Sequence, residues 1–172
     1  MQPTNERACI GVLSDTHSNL PNLKAALAIF RSQHVERLVH CGDLTRPDML
    51  EQFKGFKVWL VRGNNDYDHL GLRSEARRLG NIHYYGVDAQ LVFDGHHVAA
   101  CHGDDESLLG NLSSCGAYAW VFYGHSHRHE LLTMGSTKVL NPGALGGRHT
   151  YGEDRSVAIV DLRLGTAEFL AI

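Results

Sequence analysis

Five short blocks of oxygen- and nitrogen-bearing residues are spread along this chain: Asp15-Thr16-His17, Gly42-Asp43, Gly63-Asn64-Asn65-Asp66, Cys101-His102-Gly103 and Gly124-His125-Ser126-His127. Carboxylate, amide oxygen and imidazole together suit divalent ions such as Mn, Fe, Zn or Ni, and no thiolate is needed. Each block directly follows a run rich in aliphatic residues, so each is expected where a buried strand ends and a loop begins. Taken together, the blocks have the makings of a two-metal hydrolytic site.

The elements that must position these blocks can be read from the runs before and after them. Cys9 to Leu13 reads as a strand apolar on both faces, with Ser14-Asp15 at its carboxyl end. A helix follows, with Asn19 as N-cap, Pro21 in the first turn, and Leu23, Leu27 and Phe30 on one face. Arg37 to Cys41 is the next strand, ending at Gly42-Asp43, and a short helix from about Pro47 to Phe53 leads to a third strand, Lys57 to Val61. This repeat predicts parallel strands with right-handed crossovers and ligands gathered outside their carboxyl ends. Beyond it, Gln90 to Phe93 and His96 to Cys101 read as a hairpin turning at Asp94-Gly95. A helix is expected within Asp104 to Ser114, and Trp120 to Tyr123 is a buried strand delivering His125 and His127. Further strands are expected near Leu131 to Thr133, Lys138 to Leu140, Ser156 to Asp161 and Ala167 to Leu170.

A length of 172 residues fits one domain with a substantial core, with residues 1–7 expected as a loose extension. A net charge of −3 with 20% charged residues argues against bulk nucleic-acid binding. No apolar stretch approaches the roughly 20 residues that span a bilayer, so membrane association is not expected. Cys9, Cys41, Cys101 and Cys115 are widely spaced and read as packed residues of a reducing compartment, which predicts a cytoplasmic protein. General oligomer frequencies leave a homo-oligomer open.

In this order the five blocks resemble the signature of the calcineurin-like metallophosphoesterase superfamily: Asp-x-His, Gly-Asp, Gly-Asn-x-Asp/Glu, a His before Gly, and Gly-His-x-His. Leu38-Val39-His40-Cys41-Gly42-Asp43, Val61-Arg62-Gly63-Asn64-Asn65-Asp66 and Asn141-Pro142-Gly143 are similar to its compact bacterial and archaeal phosphodiesterase branch. The resemblance runs from Ile10 to about Asp161. It implies a four-layer α-β-β-α sandwich of two mixed sheets. It also implies two divalent ions, Mn first, one held by Asp15, His17, Asp43 and His127 and the other by Asp43, Asn64, His102 and His125. A carboxylate can serve two metals where an imidazole nitrogen serves one, so Asp43 is the natural bridge. Two such ions, less Asp15, Asp43 and a hydroxide, leave a formal charge of about plus one that attracts phosphate. The expected reaction is direct attack of the bridging hydroxide on a small or nucleotide-like phosphodiester.

One position departs from the wider family, many of whose members carry a histidine after the metal-binding Asn to protonate the leaving oxygen. Here it is Asn65, which has no useful titration near neutral pH. Esters with good leaving groups, such as aryl diesters, are therefore expected to react best. Asn65 and its neighbour Asp66 are the residues expected to act beside the metals, Asp66 by orienting the loop or by capping the next helix. Arg148, in the loop after Asn141-Pro142-Gly143 with His149 and Tyr151, could bind phosphoryl oxygens or simply be solvated. His40 reads either as a partner orienting a ligand or as a core histidine. His129 is expected at the rim, and His96 and His97 in solvent. Two other functions compete: a phosphomonoesterase or nucleotide pyrophosphatase, and a non-catalytic scaffold like the retromer subunit of this fold. The scaffold is disfavoured because all seven ligand positions are filled.

Overall fold

The strands that precede the ligand blocks are apolar on both faces because both faces are covered. The computed structural model describes residues 9–147 and 155–172, so the expected extension at 1–7 lies outside the described residues. Its elements are β1 (Cys9–Leu13), α1 (Leu20–Ser32), β2 (Arg37–His40), a 3₁₀ helix (Pro47–Phe53), β3 (Lys57–Leu60), α2 (His69–Leu79), β4 (Ile82–Tyr84), β5 (Asp88–Phe93), β6 (His96–Cys101), α3 (Glu106–Ser114), β7 (Trp120–Phe122), β8 (His129–Met134), β9 (Thr137–Pro142), β10 (Ser156–Asp161) and β11 (Thr166–Ala171).

They form a six-stranded sheet, β11-β10-β1-β2-β3-β4, and a five-stranded sheet, β5-β6-β7-β9-β8. Both are mixed. Strands β1 to β4 run parallel while β10 and β11 are antiparallel additions, and β6, β7 and β9 run parallel between antiparallel β5 and β8. Side chains alternate between layers with period two. In β6, Val98 and Ala100 enter the core between the sheets with Ile10, Val12 and Phe122, while Ala99 and Cys101 face α3. On the other side Leu23, Ala26, Leu27 and Phe30 of α1 pack on the six-stranded sheet with Leu38, Val58 and Leu60. The order is therefore helices, sheet, sheet, helix, as expected. Gly11 permits the close approach of α1, since a Cβ there would lie 2.6 Å from both Phe30 Cε1 and Leu38 Cδ2.

Local signals explain most boundaries. Asn19 caps α1 by accepting from the Asn22 N–H at 3.1 Å. The hairpin turns through Asp94 and Gly95, both at positive φ (51° and 83°), the two-residue pattern that matches strand twist. Three details go beyond the sequence expectation. The short helix expected at Pro47–Phe53 is 3₁₀, and Arg46 before it makes no side-chain cap. Helix α2 and strand β4 carry weak signals of their own: α2 buries Leu72 and Ala76 alone, and β4 is a three-residue edge strand. The residue capping α2 is Asp68, which accepts from the Gly71 N–H at 2.9 Å, not Asp66. Among the described residues no helix is long and apolar enough to cross a membrane.

Candidate metal centre

The carboxyl ends of the parallel strands in the two sheets meet at one edge of the sandwich. Backbone hydrogen bonds tie the loops together there: Asp15 N to Gly42 O at 3.0 Å, His17 N to Asp43 O at 2.9 Å, Gly124 N to His102 O at 2.8 Å, and Gly146 N to Asp15 O at 2.7 Å. The geometry brings all seven candidate ligands into one cluster. Asp43 Oδ2 lies between two histidines, 3.6 Å from His17 Nε2 and 3.3 Å from His102 Nε2. Asp15 Oδ1 is 3.2 Å from His127 Nε2, 3.7 Å from His17 Nε2 and 3.9 Å from His102 Nε2. Asn64 Oδ1 lies 2.9 Å from His102 Nε2 and 3.2 Å from His125 Nδ1.

These residues fit a cation. Asp15 Oδ1 is buried and has no hydrogen-bond partner among the described residues, an expensive position for an acceptor unless something positive meets it. The Nε2 atoms of His17 and His127 approach to 3.2 Å, so their lone pairs converge on the same space. His102 Nδ1 donates to Cys41 O at 2.7 Å, which turns Nε2 toward the carboxylates. Cys41 thus takes part through its carbonyl, while burial raises its thiol well above the ordinary range.

The backbone is strained where it carries these groups. Asp15, His17, Asp43, His125 and His127 all have φ between 45° and 66°, a region costing about 1–3 kcal/mol per non-glycine residue. Neighbouring groups hold the strained loops in place. His125 N donates to Asp15 Oδ2 at 3.0 Å. Asn141 Nδ2 donates to Gly124 O at 2.7 Å and to Ser126 Oγ at 3.0 Å, fixing the loop of His125 and His127. Gly124 has to be glycine, since a Cβ would fall 1.9 Å from Ser14 Oγ and 2.6 Å from Asp15 Oδ2.

His40 is fully buried, and it orients the site. Its Nδ1 accepts the Gly42 N–H at 3.2 Å, leaving the proton on Nε2 to donate to Thr16 Oγ1 at 2.8 Å. Burial lowers its pKa to about 4, aided by His102 and His17 against the pull of Asp15 and Asp43, so the ring is neutral and bridges the first two ligand loops.

Of the two residues expected to act beside the metals, Asn65 touches Asp43 twice, its backbone N donating to Oδ1 and its Nδ2 to Oδ2, each at 2.7 Å. Asp66 is fully buried and its carboxylate accepts from the N–H groups of Thr45 at 2.7 Å, Gly63 at 2.8 Å and Asp43 at 3.0 Å. It is a positioning residue, out of reach of a substrate. Asp66→Ala would leave three donors without their partner, two of them buried, and is expected to lower unfolding free energy by about 3 kcal/mol. Urea unfolding measures this, and a loss below about 1 kcal/mol would contradict the role.

The protonation of the metal-free centre follows from its charges. Burial works to raise the Asp15 carboxyl, but His127, His17 and His102 outweigh it and hold Asp15 well below the usual carboxylate range. Burial works to lower His102, yet Asp43 and Asp15, with the Cys41 carbonyl, raise its pKa to about 9. Its folded value exceeds the unfolded one, so its stabilisation of the metal-free protein is complete below the unfolded pKa of about 6.5 and disappears as pH rises through about 9. An ion binding at Nε2 must displace that proton. Metal affinity is expected to rise about tenfold per pH unit between these values through this group. Calorimetry in buffers of different ionisation enthalpy reads the released proton, and an affinity flat across the interval would refute the assignment.

Some residues lie elsewhere or outside view. Arg148, His149 and Tyr151 lie outside the described residues. His129 opens the exposed strand β8, its ring 5.0 Å from that of Phe169. His97 is exposed and His96 half-buried, on β6. Sequence reasoning passed over Arg155, which donates to Gly146 O and, at 2.9 Å, to Gly147 O, holding the two glycines that pack against His17 and His127. Nothing in its local sequence marks it.

A model of the calcineurin-like phosphoesterase superfamily domain matches residues 9–165. The chain belongs to that superfamily. Within it, the chain is 33% identical over 141 residues to a protein of Methanothermobacter thermautotrophicus named "Probable metallophosphoesterase", covering 78% of this chain and 76% of that one. It is 29% identical over 140 residues to a phosphodiesterase of Methanocaldococcus jannaschii, covering 80% and 84%. A solved structure described as a novel archaeal phosphodiesterase superposes with a TM-score of 0.87 at 26% identity, covering 95% of this chain and 99% of that one. The candidate ligand cluster of this calcineurin-like chain stands at the strand ends of that shared fold.

Proposed function

We propose that the protein is a dinuclear metal-dependent phosphodiesterase, with Asp15, His17, Asp43 and His127 around one ion and Asp43, Asn64, His102 and His125 around the other. The observation carrying this reading is the place of Asp43 Oδ2 between His17 and His102, with one orphaned carboxylate oxygen of Asp15 facing the same space. Bound there, two divalent ions, manganese first, supply a water of lowered pKa and neutralise charge on the phosphoryl oxygens. The chain's own residues supply position. His102 is aimed by Cys41 O, Asp43 is aimed by Asn65, and the Asp43 loop is pinned by Asp66.

Asn65 spends its amide on Asp43 and offers no titrating proton, so the leaving oxygen must depart with little protonation from this position. Aryl diesters are the substrates of choice for that reason. The test is metal content of the purified protein followed by hydrolysis of bis(p-nitrophenyl) phosphate with and without Mn. Bound metal and Mn-stimulated turnover, faster on the diester than on p-nitrophenyl phosphate, are the expected results. Faster monoester cleavage would point to a phosphomonoesterase. Absence of metal and of turnover would point to a scaffold.

A further inference from the structure

Tyr67 is 80% exposed, more than any other large apolar or aromatic side chain among the described residues, and it stands directly beside the metal centre. Its hydroxyl donates to Asn65 Oδ1 at 3.3 Å, and Asn65 Nδ2 donates in turn to Asp43 Oδ2 at 2.7 Å. Two hydrogen bonds thus connect the ring to the carboxylate at the middle of the ligand cluster. Leu70, 67% exposed, follows three residues later and extends apolar surface along the same segment. The candidate ligands are carboxylates, an amide and imidazoles, so the cluster itself presents polar atoms to a phosphate. The Tyr67 ring adds a flat apolar face at its border. Anchored by its hydroxyl, that face loses little further freedom when a planar group settles on it.

We infer that Tyr67 is the stacking platform for a planar aromatic group carried by the phosphoester, a nucleobase or comparable aryl ring, while the phosphate occupies the metal centre. The inference rests on the phosphodiesterase reading of that centre and adds the substrate class: nucleotide-like esters over alkyl esters. Base-to-aromatic stacking is tolerant of sequence because every base has a π face, so the platform selects for a base without selecting which one.

The test is calorimetric binding of adenosine 5′-monophosphate, ribose 5-phosphate and inorganic phosphate to the Mn-loaded protein. The wild type is expected to bind adenosine monophosphate more tightly than ribose 5-phosphate. Tyr67→Ala is expected to weaken adenosine monophosphate about 5- to 10-fold and to leave ribose 5-phosphate and inorganic phosphate where they were. Tyr67→Phe keeps the ring and loses only the tether, so it is expected to retain most of the preference. Equal weakening of all three ligands in Tyr67→Ala would mean that the ring merely steadies Asn65, and would overturn the inference. So would a wild type that binds adenosine monophosphate no better than ribose 5-phosphate. A wild type that binds Mn but no inorganic phosphate would instead overturn the phosphodiesterase reading, and the platform with it.

Discussion

Asp43→Asn is expected to remove at least one of two bound ions and to lower kcat by about 10³-fold or more. The size of the effect comes from position. Asp43 Oδ2 lies 3.3 Å from His102 and 3.6 Å from His17, so one oxygen serves both halves of the cluster. An amide of the same shape loses the negative charge and must present an NH2 either to Asn65 or to the metals. Asn65 already donates to both carboxylate oxygens, so an NH2 facing it sets donor against donor, and one facing the centre repels cations. Metal content by mass spectrometry and turnover on an aryl diester read the two effects separately. A variant holding two ions with kcat within tenfold of wild type would remove Asp43 from the bridging position.

His127→Ala and His125→Ala should each cost an ion, and not the same one. His127 Nε2 faces Asp15 and His17 at 3.2 Å each, whereas His125 Nδ1 faces Asn64 Oδ1 at 3.2 Å. Their alternate spacing and left-handed backbones, with φ of 66° at His125 and 60° at His127, point one short loop at both sides of the cluster. Each variant is expected to weaken its own site on the order of 100-fold, at least as much as loss of a supporting partner does, and to leave the other near wild type. Mn titration followed by electron paramagnetic resonance distinguishes a coupled pair from a single ion, and anomalous diffraction identifies the ion that remains. If both variants lose the same ion, the division into two sites is wrong.

Residue chemistry decided how much of this was legible beforehand. Strands β1 and β7 announce themselves because burial on both faces demands unbroken apolar runs, β2 and β6 by the shorter runs Leu38-Val39 and Val98 to Cys101, and the ligand blocks stand out as polar groups just beyond those runs. Helix α1 is equally plain from Leu23, Leu27 and Phe30 with the Asn19 cap. Helix α2 buries too little, and β4 is too short, for periodicity to mark them. The Pro47–Phe53 segment shows the limit of a correct helical signal, since composition does not separate a 3₁₀ from an α turn at that length.

Residue types and their order along the chain determined the family, the layered fold and the seven candidate ligands, because metal chemistry admits few donor types and buried parallel strands admit few apolar patterns. Only the tertiary structure decided what the supporting residues do. Asp66 and Asp68 are both carboxylates just ahead of α2, yet one reaches back to three N–H groups of the ligand loops and the other caps the helix. His40 is a neutral bridge, Asn141 and Arg155 hold distant loops, and Tyr67 stands in solvent at the border of the site. The physical reason is that a metal ligand is constrained by the atom it offers, which is visible in its residue type. A positioning residue is constrained by which backbone groups the fold brings within hydrogen-bond reach, and those partners come from elsewhere in the chain.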